Sequence, residues 1–117
     1  MDQAALDVAL NLGIDCGGWC PPGRLCENGR IPSRYPLKET PSDKSEAAPG
    51  VPRSRRTEWN VRDADATLVL LPQDLKSDKG CEWTLQCAWN CQKPIFIIDP
   101  FAENAISKTR LWLESIA

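Results

Sequence analysis

Arg56-Thr57-Glu58-Trp59-Asn60-Val61-Arg62-Asp63-Ala64-Asp65-Ala66-Thr67-Leu68-Val69-Leu70-Leu71 is the stretch that decides the fold. Its first half is polar and helix-compatible, and turns Trp59, with Val61 or Ala64, toward a core. Its second half, Ala66 to Leu71, is a continuous apolar run of strand length, the pattern of a strand covered on both faces. Pro72 stops that run, because proline cannot donate to a strand ladder. A helix feeding directly into a doubly covered strand is the repeating unit of a parallel α/β sheet.

The C-terminal side repeats the unit. Residues 80–92 carry Leu85, Ala88, Trp89 and Gln92 in helical register, Lys93-Pro94 breaks the helix, and Ile95-Phe96-Ile97-Ile98 forms a second apolar strand closed by Asp99-Pro100. A last helix is expected over 102–116, with Ile106, Leu111, Trp112 and Leu113 as its apolar residues. Toward the N-terminus, residues 2–12 place Ala5, Val8, Ala9 and Leu12 at helical spacing, with Asp2 as N-cap and Gly13 as terminator. Ile14 to Trp19 then reads as a short strand. Between Cys20 and Arg55 lie seven of the ten prolines, so loop is expected there, most mobile over 40–54. The order of alternating strands and helices predicts one α/β domain over 1–117, a three-layer Rossmann-like parallel sheet with helices on both faces.

A chain of 117 residues suits one modest core, and 42% hydrophobic with 26% charged residues lies in the ordinary globular range. Fourteen basic and 16 acidic residues leave a net charge of −2, which argues against a general electrostatic grip on nucleic acid. A small anionic ligand needs only a few N–H groups and one or two cations, and so stays open. The start, Met1-Asp2-Gln3-Ala4-Ala5-Leu6-Asp7, lacks the basic opening of a signal peptide, and no apolar run approaches the roughly 20 residues that span a bilayer. No membrane association and a cytoplasmic location are the expectations.

Six cysteines, at 16, 20, 26, 81, 87 and 91, show the mirrored spacings C-x3-C-x5-C and C-x5-C-x3-C with no C-x-x-C pair. Zinc sites commonly pair closer ligands, and Cys87 and Cys91 at i, i+4 fit core packing on one helix face, so no metal site is assigned. The chain has no histidine, and Glu58, Asp63 and Glu82 are single carboxylates without a visible partner to tune them. No catalytic set is assigned.

Three segments in series, Gly17-Gly18-Trp19-Cys20-Pro21-Pro22-Gly23-Arg24, Ile31 to Thr40 (Ile-Pro-Ser-Arg-Tyr-Pro-Leu-Lys-Glu-Thr) and Arg56 to Asp63, closely resemble the family named "putative molybdenum carrier". This is a bacterial group related to the lysine-decarboxylase-like and cytokinin-activating Rossmann proteins. The resemblance spans nearly the whole chain. It implies a Rossmann-like fold that binds a nucleotide-like or oxyanion ligand, of molybdenum cofactor or molybdate type, without catalysis. Two departures stand out. Family members begin with a strand and a Gly-rich loop ahead of the first helix, so the sheet is expected to be N-terminally shortened. Where the family has Gly-Gly-Thr before the helix at 80–92, this chain has Ser77-Asp78-Lys79-Gly80-Cys81-Glu82-Trp83-Thr84, and Cys81 and Trp83 add bulk where a phosphate needs close backbone approach.

Ligands of parallel sheets sit at the strand carboxyl ends, beside helix N-termini. The expected contacts are Gly17, Gly18 and Trp19 after the first strand, Lys79, Gly80 and Thr84 at the helix start, and Arg56 and Asn60 on the preceding helix. Arg56 reads equally well as an ion-pair partner on a solvated helix, and that reading is favoured for Arg62. Two alternatives stay open beside a non-catalytic binder: a nucleotide glycosidase or phosphoribohydrolase working through Glu58 or Glu82, and a remnant without ligand, whose missing first strand leaves a sheet edge open to pairing between chains as a homo-oligomer.

Overall fold

The computed structural model describes residues 2–26, 29–72 and 79–116, and the chain is an α/β protein of Rossmann-like type. The elements run α1 (Asp2–Asn11), β1 (Gly18–Cys20), a 3-10 turn (Pro22–Arg24), β2 (Leu25–Cys26), β3 (Gly29–Arg30), β4 (Leu37–Glu39), α2 (Ser54–Asp63), β5 (Thr67–Leu70), α3 (Lys79–Asn90), β6 (Ile95–Ile98) and α4 (Ala105–Ile116). They form two compact units, Met1–Arg56 and Thr57–Ala117, with the boundary inside α2.

In the first unit, β1 pairs in parallel with β4, Gly18 opposite Leu37 and Cys20 opposite Glu39, while β2 and β3 make a short antiparallel pair. Cys20, Ile31 and Tyr35 form the buried centre, and Leu6 and Leu37 pack against them. The inward residue of α1 is therefore Leu6; Val8 and Leu12, expected on the buried stripe, are 56% and 67% exposed. α1 is tied down at Asp7, whose Oδ1 accepts from the Tyr35 hydroxyl at 2.8 Å, and Arg34 donates to that same hydroxyl at 2.8 Å.

Helix ends follow backbone rules legible in the sequence. Gly13, at φ +69°, donates to the Leu10 carbonyl while Ile14 N–H reaches the Ala9 carbonyl, the paired bonds of a Schellman cap. The same pair closes α3, from Gln92 to Trp89 and from Lys93 to Ala88, with Gln92 at φ +55° in the position that favours glycine. In urea unfolding, Gly13→Ala is expected to cost about 1 kcal/mol and Gln92→Gly to gain about 0.5 kcal/mol.

The strand expected over Ile14 to Trp19 begins four residues later, at Gly18, because only from there does the chain meet the β4 ladder. β4 itself lies in a segment expected to be loop. Within residues 40–54 the chain turns repeatedly and bonds to itself. Ser45 N–H donates to Ser54 Oγ at 2.8 Å, Ser54 Oγ donates to the Ala48 carbonyl at 2.9 Å, and Arg53 N–H donates to Asp43 Oδ2 at 3.1 Å.

In the second unit, β5 and β6 are parallel neighbours joined through α3, with Thr67 opposite Ile95 and Leu70 opposite Ile98. Parallel pairing requires such a crossover, which is why two apolar runs separated by a helical segment predict it. Phe96 stacks on Trp112 of α4 at 5.3 Å between ring centroids. The strands are not covered throughout: Leu68, Leu70 and Ile97 are each about two-fifths exposed, contrary to the expectation of two buried faces. On α4 the inward residues are Ala105 and Trp112, whereas Ile106, Leu111 and Leu113 are exposed. Among the described residues no helix is long and apolar enough to cross a membrane.

Candidate functional site

Two strand-end regions present chemistry, one in each unit. In the first, β1 leaves its carboxyl end into Pro21-Pro22-Gly23-Arg24, and β4 leaves into Thr40, whose N–H donates to the Cys20 carbonyl at 2.9 Å. Gly23 and Arg24 both take left-handed backbone angles, φ +73° and +56°. That turn swings the Arg24 guanidinium over the segment 31–37, where it donates to four carbonyls: Pro32 (2.8 Å), Tyr35 (2.9 Å), Leu37 (3.0 Å) and Ile31 (3.3 Å). Gly23 N–H donates to the Glu39 carboxylate. This end of the strand pair is thus closed by the protein's own groups, and Arg24 is spent on structure rather than offered to a ligand.

The expected contacts Gly17, Gly18 and Trp19 do not lie in a loop after the strand. Gly17 precedes β1, and Gly18 and Trp19 are strand residues, so Gly17 and Gly18 mark its amino end. A β-carbon at Gly17 would sit 3.5 Å from the Pro36 carbonyl oxygen, an ordinary contact, so packing does not by itself demand glycine there. Arg56 is half-buried in α2 and already has an interaction partner.

In the second unit, the carboxyl ends of β5 and β6 lead into Leu71-Pro72 and Asp99-Pro100 on the same edge of the pair. Asp99 Oδ1 accepts from the Phe101 N–H at 2.9 Å, an Asx-type turn, and Phe101 itself is 81% exposed. The chain between β5 and α3 includes 73–78, so Ser77 and Asp78 of the altered family motif lie outside the described residues. α3 starts at Lys79, and Lys79 and Gly80 are exposed. A twelve-residue helix carries a partial positive charge at this end. Glu82, in the same turn, opposes any bound anion. The Thr84 hydroxyl donates back to the Gly80 carbonyl at 2.9 Å, so its proton serves the helix. Asn60, on α2, is half-buried and also has an interaction partner.

Among the expected contacts in this unit, Lys79 and Gly80 retain groups directed to solvent at a helix start. Phe101 was not anticipated; its signal was an aromatic residue placed just after the Asp99-Pro100 strand stop. Arg62 follows the ion-pair reading. It meets Asp63 through two nitrogens at 2.8 and 3.2 Å, lies over the Trp59 ring at 4.7 Å, and its pKa is raised chiefly by the Asp63 hydrogen bond.

The thiols divide by environment. Cys87 is 3% exposed and its pKa is pushed up to about 12, first by burial, then by the Glu58 and Cys91 charges. Cys20 is raised as well, mainly by burial. Cys91, one turn past Cys87, is exposed. Among the described residues no group of three or more His, Cys, Asp or Glu side chains is placed to hold a metal. Iodoacetamide at pH 8 is expected to label Cys91 and leave Cys87 unmodified until unfolding, read by peptide mass spectrometry. Because the folded pKa of Cys87 lies above the free-thiol value, its neutral form favours the fold. That contribution is present below about pH 9 and is lost as pH rises toward about 12.

The family model described as "Circularly permutated YpsA SLOG family" matches residues 1–117. The chain is also similar to a solved structure entitled "Putative molybdenum carrier protein", from Syntrophus aciditrophicus SB, at 1.45 Å resolution. The two share 37% sequence identity with a TM-score of 0.79, over 98% of this chain and 68% of that one. No curated protein matches the chain.

Proposed function

Because the chain belongs to the circularly permutated YpsA SLOG family, we propose that it binds a small anionic ligand, nucleotide-like or an oxyanion of molybdate or molybdenum cofactor type, without transforming it. The single observation that carries this reading is the start of α3. It follows β5 of a parallel β5–α3–β6 unit and places two exposed residues, Lys79 and Gly80, at the end of a helix where the dipole is positive. Backbone donors and one lysine suit a tetrahedral or phosphate-like anion, which needs directed hydrogen bonds and a single countercharge. The name of the similar solved structure supports a molybdenum-containing cargo. The exposed ring of Phe101 adds a flat apolar surface on which the planar part of a nucleotide-like ligand can rest.

The reading includes a bacterial, cytoplasmic protein, as the family resemblance and the sequence composition suggested. It omits catalysis because Glu82, at the start of α3, is a single carboxylate in a chain that has no histidine to act beside it. Thermal-shift assays with molybdate, tungstate and nucleoside monophosphates test the proposal. A ligand at a hundredfold excess over its dissociation constant adds about 2.7 kcal/mol by mass action. No stabilisation by any of them would reject the binding. Release of free base from a nucleoside monophosphate, lost on Glu82→Gln, would replace the carrier by an enzyme.

A further inference from the structure

The outer surface of α3 carries a second feature, unrelated to the ligand reading. Glu82, Gln86, Trp89 and Lys93 follow one another at spacings of four, three and four residues, one face of the helix and its immediate exit. With Leu85 and Ile95 they line a shallow cavity of about 460 Å³. Trp89 is 80% exposed. The row is symmetric: the midpoint between Gln86 and Trp89 is also the midpoint between Glu82 and Lys93. Its ends carry opposite charge, and its middle pairs the Trp89 ring with the Gln86 amide, which donates to Asn90 Oδ1 at 2.9 Å.

We propose that this face is where two copies of the chain pair, α3 against α3, antiparallel across a twofold axis. An isologous contact must be complementary to itself, so every residue on one side of the axis needs a suitable mate at the equivalent position on the other. This row meets that condition. Reversal about its midpoint sets Glu82 against Lys93 of the second copy, and Gln86 against its Trp89, at both ends of the contact. Lys93 keeps its place through α2, where its Nζ donates to the carbonyls of Val61 (3.4 Å) and Arg62. An ammonium has three N–H groups, and the third is available for the second copy's Glu82. Glu82 has no partner among the described residues that would compete. The indole of Trp89, large and rigid, is the type of anchor on which such contacts concentrate their energy. By contrast, exposed Ile106, Leu111 and Leu113 on α4 have no comparable symmetry of charge, and they supply the control.

Sedimentation velocity over a concentration series, on the full chain, reads the equilibrium. The wild type is expected to show a concentration-dependent monomer–dimer step. Trp89→Glu is expected to weaken it about a hundredfold. Glu82→Lys, which sets lysine against Lys93, is expected to weaken it about tenfold. Leu111→Glu should leave it unchanged. Mixing the Glu82→Lys and Lys93→Glu proteins should form a heterodimer more readily than either protein alone forms a homodimer, since both end pairs become opposite in sign. Circular dichroism confirms that Trp89→Glu, at an exposed site, retains the fold, and Glu82→Lys serves as the second reading if it does not. A wild type that stays monomeric up to about 1 mM, a dimer indifferent to Trp89→Glu and Glu82→Lys, or equal disruption by Leu111→Glu would each overturn the proposal.

Discussion

Replacing Arg24 with alanine is expected to lower the unfolding free energy by about 3–4 kcal/mol, the largest effect of any single substitution outside the buried apolar residues. Four backbone carbonyls, of Ile31, Pro32, Tyr35 and Leu37, lose their charged donor at once. These carbonyls belong to the segment that carries the chain from β1 across to β4, which has no helix of its own to bind them. Hydrogen bonds to an ionised group are stronger than neutral ones, and although the Pro32 and Tyr35 carbonyls keep the N–H groups of Tyr35 and Leu37, all four oxygens lose a charged donor. Arg24→Lys should recover less than half of the loss, because an ammonium cannot spread donors over four separated oxygens as a planar guanidinium does. Urea titration followed by far-ultraviolet circular dichroism separates the two variants. Equal stability of wild type and Arg24→Ala would show that the guanidinium contacts are incidental.

Ser54→Ala is expected to cost about 2–3 kcal/mol and to loosen residues 43–53. Ser54 is fully buried, and its hydroxyl both accepts from the Ser45 N–H and donates to the Ala48 carbonyl. Alanine fills nearly the same space, so the loss is purely that of the two bonds. No buried side-chain nitrogen or oxygen among the described residues lacks a partner, so the variant breaks a fully satisfied arrangement. Hydrogen exchange reads the effect locally. The Ser45 and Ala48 amides, bonded to Ser54 Oγ and the Ser45 carbonyl, should exchange at least tenfold faster in Ser54→Ala. Rapid exchange of these amides in the wild type itself would instead mark 40–54 as the mobile loop that its Pro, Gly and Ser content suggests.

How far the sequence could be read depends on what kind of force shapes each element. α2, β5, α3 and β6 were legible because local pattern and tertiary role agree: the apolar runs from Ala66 to Leu71 and from Ile95 to Ile98 hold the strands Thr67–Leu70 and Ile95–Ile98, and Pro72 and Pro94 lie outside strand and helix. The cap at Gly13 was legible because only a left-handed residue fits there. β4 was not. Leu37-Lys38-Glu39 has no strand pattern of its own, and takes that form through pairing with β1 and the grip of Arg24 on the Leu37 carbonyl. The start of β1 was misjudged for the same reason, since Ile14 and Cys16 are apolar but have no ladder partner. Periodicity also says which faces want cover, without saying what provides it. Hence the exposure of Leu68, Leu70, Ile97 and Trp89 could not be foreseen from composition.

For the site, residue type located a helix start with a glycine and a lysine but not the consumption of neighbouring groups. Thr84 is turned inward to the Gly80 carbonyl, and Gly18 and Trp19 are absorbed into a strand. These are matters of a few ångströms of backbone placement that no spacing rule conveys.

The central claim is that an anion is received at the start of α3, and a nitrogen-15 NMR titration with molybdate and, separately, a nucleoside monophosphate tests it most directly. The account predicts saturable shifts for at least one of these ligands, largest at the Lys79, Gly80 and Cys81 amides and weakened about tenfold by Lys79→Ala. Saturable shifts confined to residues 17–24, or none at α3 with either ligand, would contradict it.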